Sequence, residues 1–219
     1  MNNPIKSILA LPKGMLIFFS IYAISFPLLY IEAKLTGQSR VLQWLGLNPS
    51  LVWKGELWRL LTFDLISSSV LGWAINLFWL ATLINLLRND WTSVRLWIFC
   101  LLSGIGGALP LLFIFRQADF PIVGAGAIVC ALLLAWDHFY HRERIIMLGL
   151  GEVSVRQAVL FIIALNAVIT YFGCGGWQFT LSMFCGGLTG WLILLIGQKH
   201  VMSRGSQIVE SQRVARLEL

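Results

Sequence analysis

Residues 157 to 198 read QAVLFIIALNAVITYFGCGGWQFTLSMFCGGLTGWLILLIGQ, 42 consecutive positions without a charged side chain. A charge near the centre of a membrane helix costs about 2.5 to 3.5 kcal/mol on insertion scales, so a run of this length marks the bilayer as the solvent. As one helix it would measure about 63 Å at 1.5 Å per residue, twice the hydrocarbon thickness. Gly173-Cys174-Gly175-Gly176 lies where a hairpin turn belongs, and the stretch divides there into two spans.

Four further uncharged runs precede it: Met15 to Ile31, Leu65 to Leu87, Leu96 to Phe115 and Phe120 to Trp136. Six spans of about 20 residues use more than half of the 219 positions, which leaves no stretch for a separate soluble domain. Composition agrees: 58% of residues are hydrophobic and 12% charged, and the mean hydropathy is +0.81. A water-soluble fold carries about a quarter charged residues. Disorder is excluded by the same hydrophobicity and by a 13% aromatic content. The expected organisation is a cytoplasmic N-terminus over 1–14, a membrane domain over 15–198 and a basic cytoplasmic tail over 199–219. Lys6 and Lys13 ahead of the first run resemble a signal peptide, but the run is long and Glu32-Ala33-Lys34 is a poor cleavage site. It reads as a retained span.

The net charge of +6 does not point to nucleic acid, because the basic residues are scattered between apolar runs and suit anionic lipid headgroups. The N-terminus, the loops after spans two and four, and the tail hold eleven Lys and Arg; the opposite side holds five. Both termini are therefore expected in the cytoplasm. The first connection, Glu32 to Asp64, mixes Trp44, Trp53 and Trp58 with Lys54, Glu56 and Arg59, which suits the bilayer interface. Cys100, Cys130 and Cys185 lie inside apolar segments and Cys174 near a segment end, without metal-ligand spacing. His138-Phe139-Tyr140-His141, beside Asp137 and Glu143, sits in a short loop of mixed charge that needs no ion. Gly149-Leu150-Gly151 lacks the further elements of a phosphate loop. No metal and no cofactor are expected.

Within the spans the polar residues carry the information, since each must find a partner or line a wet cavity. Asn76 and Asn85 lie in span two and Asn166 in span five. Taken singly, each suits interhelical hydrogen bonding. No titratable group stands near a span centre, which disfavours a proton-coupled transporter. Gly186 and Gly190 form a GxxxG on span six, and Ala127, Ala131 and Ala135 a small-residue row on span four. Both helices can be approached closely.

Several of these elements recur together. Gly55-Glu56-Leu57-Trp58-Arg59-Leu60-Leu61-Thr62-Phe63 precedes span two and Asn76 lies within it. Ser103-Gly104-Ile105-Gly106-Gly107 falls in span three, Gly124-Ala125-Gly126-Ala127 opens span four, and Gly186 and Gly190 follow in span six. In this order, over residues 15 to 198, they resemble the rhomboid superfamily of intramembrane serine proteases. The resemblance implies an all-α polytopic membrane protein, a six-transmembrane-helix rhomboid-like bundle with an interfacial first loop. Trp58, Arg59, Gly126, Gly186 and Gly190 fall on its structural motif.

Proteolytic rhomboids use a Ser-His dyad, with the Ser in a Gly-x-Ser-Gly at the start of span four and the His three residues before the first Gly of the GxxxG. Carried over, the Ser falls on Ala125, with Gly126 matching and the motif's first Gly falling on Val123, and the His falls on Met183. Asn76 matches the position that helps hold the oxyanion, while the His four residues before it corresponds to Gly72. Losing either nucleophile or base in such a machine costs on the order of 10⁶ in turnover. Ser103 and Ser182 lie in spans, but His138, His141 and His200 all fall in cytoplasmic segments. The resemblance thus implies an inactive relative, of the pseudoprotease or derlin kind, whose partners are membrane lipids and transmembrane client proteins. An active intramembrane serine endopeptidase, with another alignment or an engineered Ala125, and a small-solute transporter are the alternatives. If the inactive-relative reading holds, span four should start abruptly at an inward position, with Ala125 facing Met183 across the contact with span six and Asn76 pointing to the same spot.

Overall fold

The structure of the chain, a computed structural model, describes residues 13–217 apart from 38, 68, 89–90, 117–120, 148–150 and 174–175. The expected N-terminal segment up to residue 12, the Phe120 boundary and the Cys174-Gly175 turn lie outside the described residues. The chain runs α1 (Lys13–Thr36), α2 (Arg40–Leu45), α3 (Pro49–Val52), α4 (Arg59–Thr62), a 3-10 turn (Phe63–Leu65), α5 (Val70–Leu87), α6 (Ser93–Ile114), α7 (Gly126–Tyr140), β1 (Arg144–Met147), β2 (Gly151–Ser154), α8 (Val155–Gly173) and α9 (Trp177–Leu217).

Among the described residues five helical stretches are long and apolar enough to cross a bilayer: Met15–Thr36, Val70–Leu87, Ser93–Ile114, Val155–Phe172 and Trp177–Gly197. The protein is an all-α polytopic membrane protein. α7, with 15 residues, is shorter. At 1.5 Å per residue it covers about 22 Å of a hydrocarbon layer about 30 Å thick. It tolerates this because it is the centre of the bundle, with nine of its residues, Ala127 through Leu133, Ala135 and Trp136, buried against other helices.

Helix starts follow local chemistry. Ser69 caps α5, its Oγ accepting the Gly72 N–H at 3.3 Å, so the second span begins at Val70. The residues before it, expected to be helical from Leu65, form the 3-10 turn and then an extended Ile66. Thr92 caps α6 through the Arg95 N–H at 3.4 Å. These oxygens satisfy backbone donors that a helix start leaves orphaned. The loop after α7, read from sequence as an interfacial loop, contains an antiparallel hairpin pairing Arg144 with Ser154 and Ile145 with Val153. Ile145 and Val153 pack on the main core, which explains why two short, charged segments hold as strands. α9 is helical from Trp177 to Leu217 and continues past the expected membrane boundary at residue 198.

Between apolar helices in lipid, burial of hydrocarbon supplies little drive and close packing must serve instead. α9 crosses α7 and α6 along its small residues. A Cβ added at Gly186 would stand 2.5 Å from the Ala127 Cβ and 2.9 Å from the Ser103 carbonyl oxygen. One at Gly190 would stand 2.6 Å from the Ala131 Cβ and 3.0 Å from Phe99. The backbones therefore meet at distances that only glycine permits.

Candidate functional site

The connection between α1 and α5 folds back over one end of the bundle, and Arg59 holds it there. Its side chain is 4% exposed. Nε and Nη2 donate to Glu56 Oε2 at 2.7 and 2.6 Å, while Nη1 donates to the carbonyls of Gln43 at 2.6 Å and Gly46 at 2.8 Å. Arginine suits this because its planar fork presents several donors at once. Trp58 is a surface residue by contrast, its ring tilted on Trp44 at 6.0 Å and its indole N–H 3.4 Å from the Trp44 carbonyl. Next to Gly46, Leu47 and Ile122 exchange both backbone hydrogen bonds, at 2.8 and 2.9 Å, and the Gly124 N–H donates to the Phe63 carbonyl at 3.0 Å. A Cβ at Gly46 would overlap Pro121. These contacts bind the first connection to the segment that leads into α7.

Beneath this roof lies a cavity of about 30 Å³, walled by Asn76 of α5, Asn166 and Thr170 of α8, Ser182 of α9, and Gly126 and Ala127 at the N-terminus of α7. Asn76, Asn166 and Ser182 are each buried. The volume has room for one or two waters, and amides and hydroxyls are the groups that hold water at such depth. Ala125, the cap residue of α7, contributes no side-chain acceptor, so the first N–H groups of α7 are left to whatever occupies its N-terminus. Adjoining the cavity, a groove of about 270 Å³ between α5 and α8 is lined by Ile75, Phe78, Trp79, Leu165 and Asn166. Asn166 and Ile75 belong to both spaces.

The residues expected at the site separate into two groups. Asn76, Gly126 and Gly72 line the cavity. Ala125 and Met183, 0% and 2% exposed, do not line it but belong to the packed wall beside it. Met183 reaches that wall opposite Gly126, its Cβ and Cγ each 3.7 Å from where a Gly126 Cβ would stand. Gly186 and Gly190 lie further along α9 at the helix contact, and Trp58 and Arg59 lie in the roof. Asn85 is at the other end of α5, its Oδ1 buried without a hydrogen-bond partner. Together with Ser67 and Thr170, Ser182 and Asn166 add to the cavity's polar set. Their convergence with Asn76 depends on how three helices cross, and no spacing within one segment encodes that.

Residues 13–210 match the family described as eukaryotic integral membrane protein (DUF1751). The chain belongs to that family. No curated protein matches it. In this DUF1751 chain the described lining of the cavity holds no Asp, Glu, His, Lys or Cys. The side chains there donate and accept hydrogen bonds but have no group suited to take a proton from a hydroxyl at neutral pH. His138 and His141 stand at the C-terminal end of α7, the end remote from the cavity. Among the described residues no three of His, Cys, Asp and Glu come together as a metal site.

Proposed function

We propose that this DUF1751 protein is a rhomboid-like pseudoprotease that binds the transmembrane segments of client proteins without cleaving them. One observation carries the reading: the cavity at the α7 N-terminus keeps hydrogen-bonding groups, Asn76 among them, while a methyl and a thioether occupy the neighbouring positions where the resemblance puts nucleophile and base. Donors aimed at a carbonyl oxygen bind a locally unwound peptide; without an attacking oxygen and a base they do nothing further to it. The groove between α5 and α8 supplies a lateral way in from the bilayer, and Asn166 stands where groove and cavity meet. Ala125 and Met183 are thus the degenerate catalytic positions and Asn76 the retained oxyanion position. Both termini face the cytoplasm in this reading, on the strength of the basic residues.

The test is photo-crosslinking in native membranes from Phe78, in the groove, and Leu188, on the exposed surface of α9, in parallel. Client binding predicts transmembrane proteins captured from Phe78 and not from Leu188, with recovery reduced by Asn166→Leu. Equal capture from both positions, or cleavage of a membrane-spanning reporter by purified protein, overturns the reading.

A further inference from the structure

Asp64 is, among the described residues, the acidic side chain that the fold buries, with 3% of it exposed. It stands in the 3-10 turn after α4 and is pressed against Gly104, where a Cβ would overlap its Oδ2. Gly104 is halfway along the Ser93–Ile114 span, so the carboxyl is held at the middle depth of a membrane helix. Its Oδ1 has no hydrogen-bond partner. Arg59, the nearest basic residue in the chain, is engaged by Glu56 and by the carbonyls of Gln43 and Gly46. An uncompensated carboxyl at this depth marks a functional position, because hydrocarbon penalises it and packing alone would select an apolar residue.

Beside Asp64 is a cavity of about 130 Å³, walled by Phe18, Leu61, Trp97, Cys100 and Leu101. The Phe18 and Trp97 rings meet edge to face at 5.4 Å. Leu61 is 45% exposed and Leu101 half-buried, so the mouth lies on an apolar flank of α6 that faces lipid. A free ion does not cross hydrocarbon to reach such a place. A cation at the end of an apolar stem does, and aromatic walls and a carboxyl are the surroundings that favour it.

We propose that this cavity is a receptor for a lysine or arginine side chain carried at mid-membrane by the transmembrane helix of a partner protein. The inference rests on the client-binding reading and assigns its selectivity to a place distinct from the α5–α8 groove: client helices bearing one central basic residue are preferred, because Asp64 supplies the counter-charge that the bilayer denies them.

The experiment uses the full chain in phosphatidylcholine vesicles and two single-span leucine-rich peptides, identical except for a central lysine or leucine. Binding is read by energy transfer, and occupancy of the α5–α8 groove by crosslinking from Phe78. The lysine peptide is expected to bind at least about tenfold more tightly than the leucine peptide. Asp64→Asn should bring it down to the leucine level. Leu101→Trp, which plugs the mouth and leaves the carboxyl in place, should do the same, so the result does not depend on tolerance of a single substitution. Equal binding of the two peptides with crosslinking at Phe78, or a lysine preference that survives both substitutions, overturns this inference and leaves client binding standing. Absence of binding by either peptide overturns both.

Discussion

Met183 faces Gly126, the first residue of α7, so that a Cβ added there would meet the Met183 Cβ and Cγ at 3.7 Å, within ordinary van der Waals range. Its buried thioether side chain occupies the position where the resemblance calls for an imidazole, the buried Ala125 methyl the position where it calls for a hydroxyl, and neither lines the polar cavity. Restoring one chemical group is therefore not enough. Ala125→Ser is expected to remain unlabelled by a fluorophosphonate probe, since the new hydroxyl has no base within reach. Purified wild-type protein should be equally unreactive. Covalent labelling of any membrane serine in either protein would refute the pseudoprotease assignment.

Arg59 combines an ion pair with donation to two backbone carbonyls, all inside the folded first connection. Arg59→Ala leaves both carbonyls and the partly exposed Glu56 without their donor, and losing a buried donor in this way costs roughly 1–3 kcal/mol. Arg59→Lys should recover only part of it, because an ammonium cannot reproduce the fork. Thermal unfolding in detergent should show the order wild type, Lys, Ala. Equal melting temperatures for the three would mean that the roof is held by other contacts.

The Gly186 approach to Ala127 admits no side chain. Gly186→Ala is expected to destabilise the protein by roughly 1–3 kcal/mol through overpacking. Combined with Ala127→Gly it should be rescued in part, since the closest clash, with the Ala127 Cβ, disappears while the Ala127 Cα and the Ser103 carbonyl stay within 2.9 Å. A double-mutant cycle on melting temperature measures the coupling. Strict additivity would contradict the geometry.

Asn76→Leu makes the cavity less able to hold water or a peptide carbonyl and adds apolar bulk beside Asn166 and Ser182. Client crosslinking from Phe78 should fall several-fold, with the melting temperature shifted by no more than a few degrees. Proteoliposomes of the wild type should show no solute flux beyond protein-free vesicles. Flux that Asn76→Leu abolishes would instead support a transporter.

Gly104→Ala places a methyl where the Asp64 carboxyl rests. One of the two must move, and the exchange Gly104→Ala with Asp64→Ala should be more stable than Gly104→Ala alone, which thermal unfolding can check. No difference between them would place Asp64 away from Gly104.

The membrane class and most span positions were legible because charge is excluded from hydrocarbon, a constraint written locally in every run. The glycine seam was legible too, since Gly186 and Gly190 share a helix face by spacing alone. Asp64 was not. In the chain it closes a connection rich in Lys, Glu and Trp, and its depth arises only when the 3-10 turn docks on Gly104, 40 residues later. The same holds for the α7 start: an uncharged run gives no sign that Ile122 leaves the helix to pair with Leu47. Ile145 and Val153 looked like loop residues because their strand order depends on the core beneath them.

The Leu47–Ile122 pairing is made of peptide groups, and the Gly124 and Phe63 tie beside it is as well. Main-chain bonds of this kind are indifferent to which side chains flank them, provided Gly46 keeps its narrow berth. The vessel and its contents can consequently drift independently: substitutions inside the chamber can erase or rewrite chemistry across evolutionary time while its ceiling stays shut.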